Sequence, residues 1–234
     1  MDPAAITATL PGYYGKLPAH GDFLARRVPQ AVKAAWDGWL EPALHQAQAA
    51  LGPEWDEIYL TSPIWRFVLA PDLAGPEALI GVMMPSVDRV GRQFPLSLMI
   101  AVASGPGAFA WAGAAADWLA RAEFAALDAL RHGLDSDALD RQVQALGAPQ
   151  MPGAVAALPH GLGWTLPDGG AAAPAGPVGC LLAQMMGPVR ALWWTHGSDR
   201  VDPCLVRLDG LPDPACYQAM LTGWRGQEGC DGTG

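Results

Sequence analysis

The stretch LIGVMMPSVDRVGRQFPLSLMIAVA, residues 79–103, decides the architecture. LIGVMM (79–84) and LSLMIAVA (96–103) are nearly continuous apolar runs, which suit central strands covered on both faces. Between them, PSVDRVGRQFP (85–95) is bounded by Pro85 and Pro95 and reads as a defined loop, not free coil. Working outward, further strand candidates are Tyr13–Leu17, Ile64–Ala70, Val178–Ala183, Arg190–Thr195 and Leu205–Leu208. These strands stand before and after a helical block and do not alternate strictly with helices. That order predicts an α+β fold, a layered sandwich, over a doubly wound parallel sheet.

The helical block is legible from its periodicity. Val32, Trp36, Trp39, Leu40, Ala43, Leu44, Ala47 and Leu51 recur at three- and four-residue steps, which predicts a helix over Gln30–Leu51. Pro42 falls inside this stripe and is expected to kink the helix or split it. A second helix is expected over Phe109–Arg131, with Trp111, Ala115, Trp118, Leu119, Ala122 and Leu130 on one face. A shorter one follows a cap at Asp135 or Ser136, and the last starts at Asp213-Pro214 and buries Tyr217, Met220, Leu221 and Trp224. Ten tryptophans mostly fall on such apolar faces, so core packing is their first reading. Trp193 and Trp194 are adjacent in a strand and must point to opposite faces.

Composition bounds the rest. The 234 residues suffice for a full hydrophobic core, and 51% apolar with 16% charged excludes wholesale disorder. A formal charge of −9 argues against nucleic acid and anionic membrane as partners. The basic residues are spread evenly, with no run longer than Arg26-Arg27. No apolar run is long enough to insert in a bilayer, and the first residues lack the basic start of an export signal. Cys180, Cys204, Cys216 and Cys230 form no CxxC pair and read as reduced thiols of a cytoplasmic protein. Residues 147–179 hold 14 Gly or Pro among 33 positions, too many breakers for a regular element. A single domain over 1–225 is expected, with 147–179 a long excursion and 226–234 a flexible tail.

Several segments invite a chemical reading. Gly15-Lys16 has the sound of a phosphate loop, but the Gly five positions before Gly15 is replaced by Leu10 and the Ser or Thr after Lys16 by Leu17. Pro18 then blocks the helix whose N-terminus would hold a phosphate. His20-Gly21-Asp22 lacks the further ligand a metal site needs, so a turn in which Asp22 caps backbone amides is the preferred reading. Ser86 stands in P-S-V, without the G-x-S-x-G elbow of a serine nucleophile. The loop 85–95 is the richest. In one reading Asp88 ties down a guanidinium as a structural clamp, with Arg66 as a second candidate partner besides its loop neighbours. In the other, Arg66, Arg89 and Arg92 form an acceptor for a carboxylate or phosphate.

Set side by side, these segments carry a family resemblance. G-x-x-G-K-x-P at Gly12–Pro18 runs into GDF at Gly21–Phe23, followed by WDGWL (36–40), LGPEW (51–55), SPIWRFVL (62–69) and MPSVDRVGRQFPL (84–96). LWWTHG (192–197) and GLPDPACYQAML (210–221) extend it. Together they resemble the TagF (ImpM) family of type VI secretion-associated proteins, densely over residues 12–103, thinly over 104–190 and partially beyond. The resemblance implies an α/β/α layered sandwich around a mainly antiparallel sheet, longin/profilin-like. It implies a cytoplasmic, non-enzymatic accessory protein without cofactor, a post-translational repressor that binds the forkhead-associated scaffold protein Fha and opposes a threonine-phosphorylation pathway. Some members are fused to a PP2C-type phosphatase, and no such metal–carboxylate domain fits in this chain. The docking surface is then expected around Lys16, His20, Asp22, Arg66, Asp88, Arg89 and Arg92, with Ser86 beside them. The alternative is a small-ligand or phosphate sensor, or a hydrolase, using the Lys/Arg cluster.

Overall fold

The structure, a computed structural model, describes residues 10–102, 107–150 and 189–224 in full and the backbone of 155–158 and 161–164. In chain order the elements are β1 (Gly12–Gly15), β2 (Leu24–Arg26), α1 (Gln30–Leu51), a 3-10 turn (Gly52–Glu54), α2 (Trp55–Leu60), β3 (Trp65–Leu69), β4 (Ala78–Met84) and β5 (Leu96–Val102). There follow α3 (Ala108–Ala114), α4 (Ala116–Arg131), α5 (Ser136–Ala145), β6 (Val155–Leu158), β7 (Gly161–Trp164), β8 (Ala191–Thr195), β9 (Cys204–Leu208) and α6 (Pro214–Thr222).

Seven strands make one antiparallel sheet in the order β2-β1-β5-β4-β3-β8-β9. The two apolar runs that frame the hairpin loop are its central pair, β4 and β5, with Ile80 opposite Ile100. Alternation then sorts their side chains. Ile80, Val82, Leu98 and Ile100 face α3, α4 and α5, where they pack with Trp111, Trp118 and Leu119. Leu79, Met83 and Met99 face α1, α2 and α6, where they meet Trp36, Trp39, Tyr59 and Tyr217. The molecule is therefore an α/β/α sandwich with two cores, one on each side of the sheet. Trp193 is buried in the α1-side core and Trp194 is half-buried on the opposite side. Ser97, the one polar residue of LSLMIAV, accepts the indole N–H of Trp36 at 3.0 Å and is fully buried.

Strand β1 ties both helical layers. Tyr13 and Tyr14 are neighbours and point to opposite faces. The Tyr13 hydroxyl donates to the Ser136 carbonyl of α5 at 3.1 Å, and the Tyr14 hydroxyl to the Asp37 carboxylate of α1 at 2.6 Å. Burial, and next the bond to Asp37, push the Tyr14 phenol well above its usual range.

Three expectations need correction. Helix α1 continues through Pro42, so of the two expected outcomes, a kink or a split, the split does not occur. Pro42 and Gly38, whose carbonyl loses its partner, are both exposed, so the freed oxygen lies on the solvent side while the apolar stripe holds the helix from the other. The expected helix 109–131 is two helices broken at Ala115, whose φ of −90° and ψ of 5° leave the helical region. Gly113 weakens the turn just before that break. The Gly/Pro-rich stretch holds a regular element after all, the antiparallel hairpin β6–β7 with Val155 opposite Trp164. Its strands VAAL and GLGW lie between breaker clusters. By contrast, Asp135 and Asp213 cap α5 and α6 as expected, accepting the amides of Ala138 and Cys216. The expected strand 178–183, Cys180, Cys230 and the tail 226–234 lie outside the described residues.

Gly81 sits at the middle of the sheet where a Cβ would fall 2.5 Å from the Phe67 ring and 2.4 Å from the Leu98 carbonyl oxygen. Gly81→Ala should therefore destabilise by about 1–3 kcal/mol in urea unfolding. Gly38→Ala is the contrast, because nothing lies within 4 Å of its added methyl group. On an exposed helix turn it should stabilise by about 0.5–1 kcal/mol.

Candidate functional site

The site begins where β1 ends. Gly15 has φ +138°, and a Cβ there would lie 2.0 Å from the Pro95 carbonyl oxygen. Only glycine lets β1 close on the base of the 85–95 hairpin. The next residue, Lys16, is thereby turned inward. Its ammonium lies 3.1 Å from Asp88 Oδ2, 3.4 Å from the Arg92 carbonyl oxygen and 5.1 Å from the centre of the Phe23 ring.

The hairpin itself is a three-residue turn. The amide of Phe94 donates to the Ser86 carbonyl (3.1 Å), Asp88 N–H to the Arg92 carbonyl (3.0 Å) and Gly91 N–H to the Asp88 carbonyl (2.9 Å). Gly91 has φ +86°, the left-handed position that closes such a turn with a bulge. The Asp88 side chain fills the inside of the turn. Oδ1 accepts the amides of Val90 (3.1 Å) and Arg92 (2.9 Å), and Oδ2 accepts Arg92 Nε at 2.7 Å. This carboxylate is 2% exposed. Burial by itself would raise its pKa; the Arg92 amide, the Lys16 ammonium, the Arg92 guanidinium and the Val90 amide outweigh that and hold it well below the usual 3.8.

Ser86 is buried and structural in its contacts. Its hydroxyl donates to the Lys16 carbonyl at 2.8 Å, and its amide donates to the Tyr59 hydroxyl at 3.1 Å, which in turn donates to the Ser86 carbonyl at 3.0 Å. Gln93 ties the outer strand of the hairpin to α2, donating to Asp56 at 2.8 Å and accepting the Trp55 indole N–H. Behind the hairpin base, a cavity bounded by Tyr59, Met83, Met84, Pro85, Pro95 and Tyr217 has a volume of about 10 Å³. That holds a water, not a substrate.

The loop after β1 completes the surface. His20 accepts the Arg89 amide on its carbonyl (2.7 Å), Gly21 accepts the Arg92 guanidinium on its carbonyl (2.6 Å), and Asp22 accepts the amide of Phe23 (2.8 Å). The Arg89 guanidinium lies over Gly21. Lys16, His20, Asp22, Ser86, Asp88, Arg89 and Arg92 are thus brought together, and Arg66 is not. On β3, Arg66 shares its sheet face with Val68 and Val82 and reaches α4, where Nε and Nη2 contact the Glu123 carboxylate at 2.8 and 2.6 Å. Asp88 clamps Arg92 and Lys16, not Arg66, and an acceptor built from Arg66, Arg89 and Arg92 does not form.

Three residues outside the expected site matter here. Phe23 is 42% exposed and packs on Tyr14 and Phe94; Val90 at the turn tip is 71% exposed; Tyr59 pins the hairpin base. The D-x-x-G pattern of Asp88–Gly91 is the one local signal that places Val90 at a tip. The site therefore has a compensated interior, one carboxylate between two cations, and an outer rim of Arg89, Val90 and Phe23. Among the described residues no group of His, Cys, Asp or Glu is placed to hold a metal ion, and no helix is long and apolar enough to cross a membrane.

Because Asp88 is depressed in the folded state, its contribution to stability is complete above 3.8 and is lost as pH falls below that value. Asp88→Asn should lower the urea midpoint at neutral pH more than Arg92→Ala does, since it strands the buried Lys16. It should also flatten the acid limb between about pH 4 and pH 2. The parallel acid losses from Asp128, held down by Gln142, and Asp140, held down by Arg27, stay in the variant.

Comparison with known proteins now gives this surface a setting. The sequence matches the model of the TagF N-terminal domain, Type VI secretion system-associated, over residues 12–146. The structure is similar to the crystal structure of PA0076 from Pseudomonas aeruginosa PAO1, with 35% identity, a TM-score of 0.75, and coverage of 91% of this chain and 94% of that one. No curated protein matches. The chain belongs to the TagF family of type VI secretion-associated proteins.

Proposed function

We propose that this protein is a non-catalytic, cytoplasmic accessory factor that restrains type VI secretion post-translationally by docking on the forkhead-associated scaffold protein Fha. The docking face is the rim of Arg89, Val90 and Phe23. The observation that carries this reading is the division of the site into a rigid, charge-compensated interior and an exposed Arg–aliphatic–aromatic rim. Arg and aromatic side chains held on a fixed backbone are the usual energetic centres of protein interfaces, because little freedom is lost when they dock. The guanidinium of Arg89 has no carboxylate partner among the described residues, so in a chain of net charge −9 it is a local cation that favours an acidic patch on the scaffold.

A phosphate sensor or hydrolase is less well served. Lys16 and Arg92 are both engaged by Asp88, and Arg66 lies on the α4 side of the sheet. Ser86 is buried with its hydroxyl donated to a backbone carbonyl. The net charge of −9 also disfavours nucleic acid as a partner.

Arg89→Ala with Val90→Ala should weaken capture of the purified Fha scaffold at least tenfold in calorimetric titration, while the melting temperature stays within a degree or so of the parent. Undiminished affinity in that variant would refute the face. Inorganic phosphate, in turn, should leave the melting temperature where sulfate leaves it; a specific upward shift would restore the sensor reading.

A further inference from the structure

The loop 17–23 is held from two directions. Its backbone is turned by the His20 amide donating to the Leu17 carbonyl at 2.8 Å and is fastened to the hairpin through the His20 and Gly21 carbonyls. Its one long contact in the other direction is made by the His20 ring, whose Nε2 lies 3.1 Å from the amide nitrogen of Ser136, the first residue of α5. A backbone amide can only donate. In this bond Nε2 is the acceptor, which requires the ring form with its proton on Nδ1. The Ser136 amide is one of the donors that a helix start leaves without an intrahelical partner, and the Asp135 cap is turned to Ala138. His20 completes the capping of α5 from a loop 116 residues away in sequence.

We propose that His20 is a proton-operated latch. Neutral, it caps α5 and ties the 17–23 loop to that helix; protonated, it lets go. Protonation turns the acceptor into a donor facing a donor, at a helix end whose dipole is already positive. The charged groups on its loop and on the elements bonded to that loop are Asp22 on the loop itself, Lys16 after β1, and Asp88, Arg89 and Arg92 on the hairpin. From α5 come Asp135 and Asp137, and from β2 comes Arg26, which reaches Asp137 at 3.8 Å. Three of these carboxylates already accept hydrogen bonds, Asp22 from the Phe23 amide, Asp88 from Arg92 beside Lys16, and Asp135 from the Ala138 amide, while Asp137 has only a loose ion pair with Arg26. A protonated ring still faces the Ser136 amide, a donor it cannot bond, so the cap is lost whichever of these carboxylates the ring then approaches. The latch is a property of the free protein and stands apart from the docking proposal; only its effect on partner capture rests on that face.

The test is a nuclear magnetic resonance titration of the isotopically labelled full chain from about pH 8 to about pH 5, the range in which histidines change charge. The His20 ring, the Ser136 amide and the Arg89 amide should move with one common midpoint. Exchange of the Ser136 amide, corrected for its intrinsic rate, should quicken about tenfold across it, as loss of one hydrogen bond requires. His20→Gln places a non-titrating carbonyl oxygen in the same region and should remove the pH dependence of Ser136 exchange. A Ser136 amide that stays fixed while the ring titrates, or a pH dependence undiminished in His20→Gln, overturns the latch.

Discussion

The structure around the candidate site depends on one buried carboxylate. Asp88 sits inside its own turn, where two backbone amides, one guanidinium and one ammonium converge on it. An isolated charge there would be too costly to bury, and each donor alone would leave part of that cost standing. Together they fix the hairpin, pull Lys16 inward from the end of β1 and, through Arg92, draw the 17–23 loop over the top. Sequence-distant segments are thereby joined by charge at the edge of the α1-side core, which reaches the hairpin at Phe94.

That arrangement explains why a chain with two arginines and a lysine in one cluster does not present an anion cradle. The cations serve the interior. What reaches solvent is the remainder, a guanidinium, an isopropyl group and an aromatic ring on a backbone with little freedom left. A surface of this kind is suited to another protein, because its order is complete before the partner arrives.

How much of this was legible in the sequence differs by the kind of force involved. The core strands could be read because continuous apolar runs have few alternatives, and α1 because its apolar stripe keeps one period from Val32 to Leu51. The caps at Asp135 and Asp213 are local hydrogen bonds and show themselves locally. Pro42 does not split α1 because the carbonyl it frees, on Gly38, lies on the exposed side of a helix held by its apolar stripe. The break at Ala115 carries only Gly113 as a warning. Strand β2 was invisible: three residues, Leu24, Ala25 and Arg26, have no period, and pairing with Tyr13–Gly15 alone makes them a strand. The partner of Arg66 was mistaken for a related reason. Guanidinium and carboxylate attract without regard to order in the chain, and which face of β3 Arg66 occupies follows from register, which the motifs do not encode.

The paired anchoring of Tyr13 and Tyr14 bears on how this molecule can move. Consecutive residues of a single strand hold opposite slabs of the sandwich, so translating either slab over the sheet pulls on a phenol rooted in the same short peptide as the other. Shear between layers, the usual low-cost motion of stacked architectures, is thereby opposed at its source. Change of shape is left to the connections at the rims, and the strand acts as a rivet through all three plates.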